Sequence, residues 1–168
     1  MKKIVIRHYE SPCGELLLGA FEGQLCLCDW RQRKRRERVD KRLQKALNAI
    51  YTEGSDATIE SAVQQLDEYF SGKRKKLQIP LLLIGTDFQR AVWNELLQIP
   101  YGITLSYSHV AQNIGKEKSV RPLASAIGAN ALSVFVPCHR VIGSDRSLTG
   151  YAGGLDAKQW LLELEKAL

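Results

Sequence analysis

The hydrophobic pattern of this 168-residue chain changes its period at Gly85-Thr86-Asp87. Upstream, residues 4–9, 15–20 and 24–30 are short β-branched or leucine-rich runs, separated by Ser11-Pro12-Cys13-Gly14 and Glu22-Gly23. That spacing predicts antiparallel hairpins. Downstream, Phe88, Val92, Leu96 and Ile99 recur at steps of three and four, and the pattern stays mainly helical from there on. A chain of this length holds one ordinary domain or two small ones. The change of period argues for two, with the boundary near residue 84. The fold class expected is mixed α/β (α+β): residues 1–84 form a small antiparallel sheet with helices, and residues 85–168 form a mainly helical domain.

Within the first half, residues 31–51 have a helical composition, with Val39, Leu43, Leu47 and Ile50 on one face. A second helix is expected over 59–70, with Val63, Leu66 and Phe70 inward, and residues 77–84 read as an extended connector. Two basic runs stand out, Arg31 to Arg42 and Lys73-Arg74-Lys75-Lys76. They suit either a solvated surface or a grip on phosphate backbone, and the solvated surface is the preferred reading. The net charge of +6 favours an anionic partner without proving one. No apolar run nears the roughly 20 residues needed to cross a bilayer, and the charged start leaves no room for a signal-peptide core. A cytoplasmic protein without a membrane partner is expected. Cys13, Cys26, Cys28 and Cys138 are too irregularly spaced for a disulfide framework or a zinc site, so no metal is expected.

In the second half, Ser106 or Ser108 can cap a short helix, Gly115-Lys116-Glu117-Lys118 turns, and Ser119 can cap another helix that Gly128-Ala129-Asn130 closes. Two short helices around such a turn have the form of a helix-turn-helix. The second helix carries one long cation, Arg121, among small residues, including Ala124 and Ser125. It lacks the long hydrogen-bonding side chains that read a major groove. Its small residues suit close approach to another surface, such as a second domain or a minor groove.

Residues 131–136 read as a buried strand that ends at Pro137, leaving Cys138 at the rim of the core. Only a thiolate is a strong nucleophile, and a free cysteine is mostly protonated at neutral pH. His139 next to Cys138 supplies a base. On a continuing strand the two side chains would diverge, so a bridging water or a turn at Pro137 is needed to connect them. A carboxylate from the last helix is the natural group to orient the histidine.

Pro137-Cys138-His139-Arg140-Val141 resembles the active-site motif of the O6-alkylguanine-DNA alkyltransferases. The resemblance extends through Ile103-Thr104-Leu105-Ser106-Tyr107, Val110-Ala111, Val120-Arg121, Asn130, the stretch from Leu148 to Leu155, Lys158, Trp160-Leu161-Leu162 and Glu165. It is strong over residues 85–165. Over the first half only a layout compatible with that family's ribonuclease H-like domain is visible. The resemblance implies a winged-helix-like carboxy-terminal domain and direct reversal of DNA damage, with the alkyl group passing irreversibly to Cys138. His139 would take the thiol proton through a water, Glu165 would support the histidine, and Tyr107 would donate a proton toward guanine N3. Arg121 would fill the gap left by a flipped nucleotide, with Ala124 and Ser125 in the minor groove. Asn130 would fix the turn before the acceptor, and Tyr151, Ala152 and the Val141 backbone would wall the base pocket. The implied partner is double-stranded DNA containing O6-alkylguanine, met by a monomer without a cofactor.

One departure from the family pattern is Pro122-Leu123-Ala124, where alanine, valine and glycine are usual after the arginine. Proline is tolerated in a first helical turn. Two rivals remain at the level of sequence. A thiol hydrolase would need backbone donors for an oxyanion and would turn over repeatedly. A non-catalytic damage sensor of this kind would lack the acceptor cysteine.

Overall fold

Tight turns divide the first thirty residues into three strands in a computed structural model that describes all 168 residues. Strand β1 (Lys2–Ser11) pairs antiparallel with β2 (Gly14–Phe21), and β2 with β3 (Gln24–Trp30). At the second turn Glu22 and Gly23 have φ of 49° and 83°, the left-handed pair that matches a two-residue hairpin to strand twist. Helix α1 (Arg36–Leu47) leads to β4 (Ala49–Glu53), which pairs parallel with β1 and completes the sheet order β3-β2-β1-β4. Helix α2 (Ala57–Phe70) starts at Asp56, whose carboxylate accepts from the Ile59 amide at 2.8 Å. Its Ile59, Ala62, Leu66, Tyr69 and Phe70 are buried.

The helix expected over residues 31–51 is therefore shorter, and its end is a strand. Asn48 adopts φ 47°, ψ 53° and returns its amide to the Gln44 and Lys45 carbonyls, which closes α1. Ile50 is not on a helical core face but exposed on β4, opposite Lys3. The sheet is mixed rather than purely antiparallel.

The chain divides into two compact units, Met1–Ile84 and Gly85–Leu168. In the second, Thr86 and Gln89 form a capping box at the start of α3 (Asp87–Leu96). A Cβ on Gly85 would sit 2.5 Å from the Trp93 ring, so only glycine fits there. Trp93 is buried and donates its indole N–H to the Ala126 carbonyl at 2.8 Å, tying α3 to α5 (Val120–Gly128). Between them, β5 (Leu105–Ser106) precedes α4 (Tyr107–Asn113), capped by Ser106 through the His109 amide at 3.0 Å. Pro122 occupies the first turn of α5, where its missing N–H has no intrahelical acceptor to lose. Strand β6 (Val141–Ile142) pairs parallel with β5, and α6 (Leu155–Leu164) closes the unit. The β5–β6 pairing matters most for chemistry. It holds Tyr107, which follows β5, beside the segment that follows Cys138. No helix of the chain is long and apolar enough to cross a membrane.

Candidate active site

Residues 131–136 are buried, as their composition predicts, but they form an irregular turn rather than a strand. Val134 has φ 73°, an outlying conformation for a β-branched residue. Buried backbone without a ladder must find other partners, and Asn130 supplies them. Its carbonyl oxygen accepts from the Leu132 amide at 2.9 Å, and its amide nitrogen donates to the Val136 carbonyl at 3.0 Å. The same nitrogen lies 3.3 Å from Cys138 Sγ, a donor aimed at the sulfur.

Pro137, at φ −79° and ψ 63°, then makes an inverse γ-turn, in which the Cys138 amide bonds the Val136 carbonyl at 2.7 Å. Cys138–Arg140 continue as one turn of 3-10 helix. This turn replaces the expected strand exit, so Cys138 and His139 are successive residues of a turn rather than opposite-facing neighbours on a strand. It also corrects the expected position of the sulfur. Cys138 is only 4% exposed, a floor position rather than a rim one.

His139 and Arg140, the two residues after the cysteine, enter a buried ionic cluster centred on Glu165, the residue that caps the end of α6. His139 Nε2 is 2.8 Å from one carboxylate oxygen, Arg140 Nε and Nη2 donate at 2.8 and 3.0 Å, and the Gly102 amide donates at 3.1 Å. Arg140 Nη1 also donates to the Ile99 carbonyl at 2.6 Å. Burial alone would raise the Glu165 pKa, but the bonds from His139 and Arg140 outweigh it and hold the carboxyl well below its usual range. Burial, partly opposed by Glu165, pushes the His139 imidazole down. A neutral imidazole beside an ionised carboxylate keeps its proton on Nε2, so Nδ1 carries the lone pair. Nδ1 is buried without a protein hydrogen-bond partner.

Two titrations follow from these directions. A native histidine held below 6.5 adds stability that is complete above that pH and is lost as pH falls through its lower folded value. For Glu165 the corresponding contribution is complete above 4.5 and is lost on further acidification. Reaction at Cys138 with His139 as its base, which the resemblance implies, is expected to keep a level rate on the acid side down to pH 6.5 and to slow only below it. An acid midpoint at or above 6.5 would contradict a neutral buried base.

A second buried cation is coupled electrostatically to the sulfur. Lys158 of α6 is fully buried, and its ammonium donates to the carbonyls of Val141 at 2.6 Å and Thr149 at 2.8 Å, with Gly150 at 3.4 Å. These contacts fasten the 149–150 segment to β6. Burial lowers the Lys158 pKa to about 8, and negative charge on Cys138 opposes the shift. The coupling is mutual, so the ammonium favours a thiolate. The Tyr107 hydroxyl donates to the Thr149 carbonyl at 3.1 Å, and burial, reinforced by Cys138, raises its pKa, which keeps it a proton donor. Tyr151 and Ala152 are half-buried just beyond, and Val141 is buried.

The residues singled out from sequence thus fall into two groups. Cys138, His139, Glu165 and Asn130 are joined by direct bonds or adjacency, with Tyr107 and Val141 linked through Thr149 and Lys158. Arg121, Ala124 and Ser125 are instead exposed on α5, while Leu123, Ala126 and Ile127 of the same helix are buried. The roles of Arg140 and Lys158 went unassigned at the sequence level, although both stand in the motifs. Their signal was a cation placed within otherwise apolar, core-forming segments.

Comparison with known proteins places these observations. Residues 87–167 match the model of the 6-O-methylguanine DNA methyltransferase DNA-binding domain, and residues 4–83 that of the ribonuclease-like domain of the same proteins. The methylated-DNA–protein-cysteine methyltransferase of Methanosarcina barkeri is 42% identical over 157 residues, covering 94% of each chain. That of Mycobacterium tuberculosis is 50% identical over 106 residues, 63% of this chain and 64% of the relative. The crystal structure of Mycobacterium tuberculosis OGT in complex with DNA superposes with a TM-score of 0.83 at 38% identity, covering 96% of this chain and 92% of that one.

Proposed function

Because the chain belongs to the 6-O-methylguanine DNA methyltransferase family, we propose that it repairs O6-alkylguanine in double-stranded DNA by taking the alkyl group onto Cys138. The activity is that of a methylated-DNA–protein-cysteine methyltransferase. The observation that carries this reading is a buried sulfur that accepts from the Asn130 amide, is coupled electrostatically to the buried Lys158 ammonium, and precedes in sequence a neutral histidine bonded to a carboxylate.

The steps follow from the groups present. His139 Nδ1 takes the Cys138 proton through a water, and Glu165 stabilises the imidazolium that forms. The thiolate attacks the saturated alkyl carbon, a sulfur–carbon bond forms, and the carbon–O6 bond breaks with its electron pair going to the base. Tyr107 gives its proton to guanine N3, so neutral guanine leaves instead of an anion. The phenolate and imidazolium then return to their resting states through solvent. No oxyanion develops at a tetrahedral carbon in this displacement, which is why a nucleophile and a proton donor suffice. The thioether product offers water no good leaving group, so each molecule reacts once. No cofactor enters the balance.

A stacked base cannot present its alkyl group to a buried sulfur, so the nucleotide must be flipped out at a cost of a few kcal/mol. Arg121 occupies the vacated space, and the exposed small residues Ala124 and Ser125 let α5 approach a minor groove. Tyr151, Ala152 and the Val141 backbone wall the extruded base, and Gly153-Gly154 let that loop bend. The acceptor, its base and the DNA-facing helix all come from one chain, so it acts as a monomer. Its free cysteines suit the reducing cytoplasm.

The test is mass spectrometry after incubation with a duplex containing O6-methylguanine. One methyl group is expected on Cys138 and no continued turnover. Absence of that adduct, or an equal gain by Cys138→Ala, overturns the assignment.

A further inference from the structure

We infer that α1 of the amino-terminal unit carries a second DNA contact, a cationic stripe of Arg38, Lys41 and Lys45 headed by Lys34 and Arg35, which engages the phosphate backbone of a duplex. Some basic residues of this unit are held by carboxylates and others are not. Arg33 and Arg36 turn inward, each 3.4 Å from the fully buried Asp29 carboxylate, and Arg36 also meets Asp40 at 2.9 Å. Arg7, Arg31 and Arg74 pair with Glu60, Glu15 and Glu68. Lys34, Arg35, Arg38, Lys41 and Lys45 are all exposed, and no carboxylate lies within ion-pair distance of any of them.

Helix geometry gathers the exposed cations. At 3.6 residues per turn, Arg38, Lys41 and Lys45 fall within about 60° of one another, away from the buried Val39 and Leu43. They span about 10 Å of helix axis, the axial reach of roughly three phosphates of one strand. The arrangement works against the isolated helix. Arg38 with Lys41, and Lys41 with Lys45, are like charges at spacings where each pair destabilises a helix. Lys34 and Arg35 stand at the amino end of α1, where the helix dipole disfavours cations. A regular polyanion relieves all of these repulsions together. The choice of duplex DNA as that polyanion rests on the repair reading above, whereas the stripe itself does not.

The expected contribution is independent of base sequence and sensitive to salt. In the full chain, Arg38→Gln/Lys41→Gln/Lys45→Gln keeps good helix formers at exposed positions, so the fold should survive, as far-ultraviolet circular dichroism would show. Binding to an undamaged duplex should weaken about tenfold or more at low salt. The slope of log affinity against log salt should become shallower by about 2 to 3, close to 0.9 for each phosphate no longer neutralised. A control with the same reduction of charge, Lys3→Gln/Lys73→Gln/Lys76→Gln, should leave the slope near that of the parent. An unchanged slope in the stripe variant overturns the inference, and so does an equal loss in the control, which would make the effect one of net charge. Loss of binding to phosphatidylserine vesicles with duplex binding intact would assign the stripe to a membrane surface and overturn it equally. Methyl transfer from free O6-methylguanine to Cys138, read by mass, should match the parent in both variants. Failure of transfer in the parent would sink the repair reading and leave the salt slopes to decide the stripe.

Discussion

Glu165→Ala should cost the carboxy-terminal unit about 3–5 kcal/mol and leave too little folded protein to transfer alkyl groups at 37 °C, whereas Glu165→Gln should fold but react about 10² to 10⁴ times more slowly. The two variants separate what the carboxylate does. It accepts from His139, twice from Arg140 and from the Gly102 amide, and it is 3% exposed. Alanine removes every acceptor at once and strands the Arg140 guanidinium in the interior, and breaking a buried ion pair from one side has a cost in this range. Glutamine also leaves Arg140 without its counter-ion, but at a smaller cost, because it preserves the shape and one acceptor oxygen. The imidazole is then no longer bound to keep its proton on Nε2, and the imidazolium formed during transfer loses its counter-ion. Impairing the assistance of a general base spans the stated range of rates. Chemical denaturation and single-turnover transfer measured on the same samples check both. A Glu165→Gln variant that reacts at the parent rate would mean that the carboxylate is only structural.

The division into two units was legible because hydrophobic period is a local property, and residues on either side of Gly85 keep theirs over many positions. A cap at Ser106 or Ser108 was legible for the same reason, since a cap is read within four residues, and the structure selects Ser106. Two elements were not. Val39, Leu43, Leu47 and Ile50 keep a helical step through Asn48, yet Asn48 turns left-handed and the last of them belongs to β4. What decides there is pairing with β1, nearly fifty residues upstream, and no local pattern reports it. Residues 131–136 have a strand's composition, but Asn130 satisfies the backbone that a ladder would otherwise serve. The side chain that releases this segment from a sheet precedes it and reads as a helix terminator.

The site divides along the same line. Cys138 and His139 are neighbours in sequence, and a supporting carboxylate from the last helix follows from what an imidazole needs. The buried cations do not follow. A lysine in a helix ordinarily carries its ammonium to solvent. Lys158 remains inside only because carbonyls from Val141 and Thr149, brought together by β6 and the loop after it, receive it. The Asn130 amide that donates to the sulfur and the Lys158 ammonium coupled to it are both held in place by burial. Little reorganisation is needed when the thiolate forms, which suits a protein that acts only once.

Tyr107→Phe and Arg121→Ala should separate chemistry from extrusion. Phenylalanine keeps the ring over which Lys158 lies at 6.0 Å and removes only the hydroxyl that bonds Thr149. In the proposed mechanism the base then leaves as an anion, so transfer should slow by about 10²-fold or more from a duplex and from free O6-methylguanine alike. Arg121 lies on the exposed face of α5. Its loss should leave the free-base reaction untouched and slow the duplex reaction by about 10²-fold, the rate equivalent of the few kcal/mol needed to hold a nucleotide out of the stack. Single-turnover rates on both substrates decide the matter. Equal losses on the two substrates for Arg121→Ala would remove it from the extrusion step. A Tyr107→Phe defect confined to duplex would make the tyrosine a DNA contact and leave the leaving-group proton without a donor.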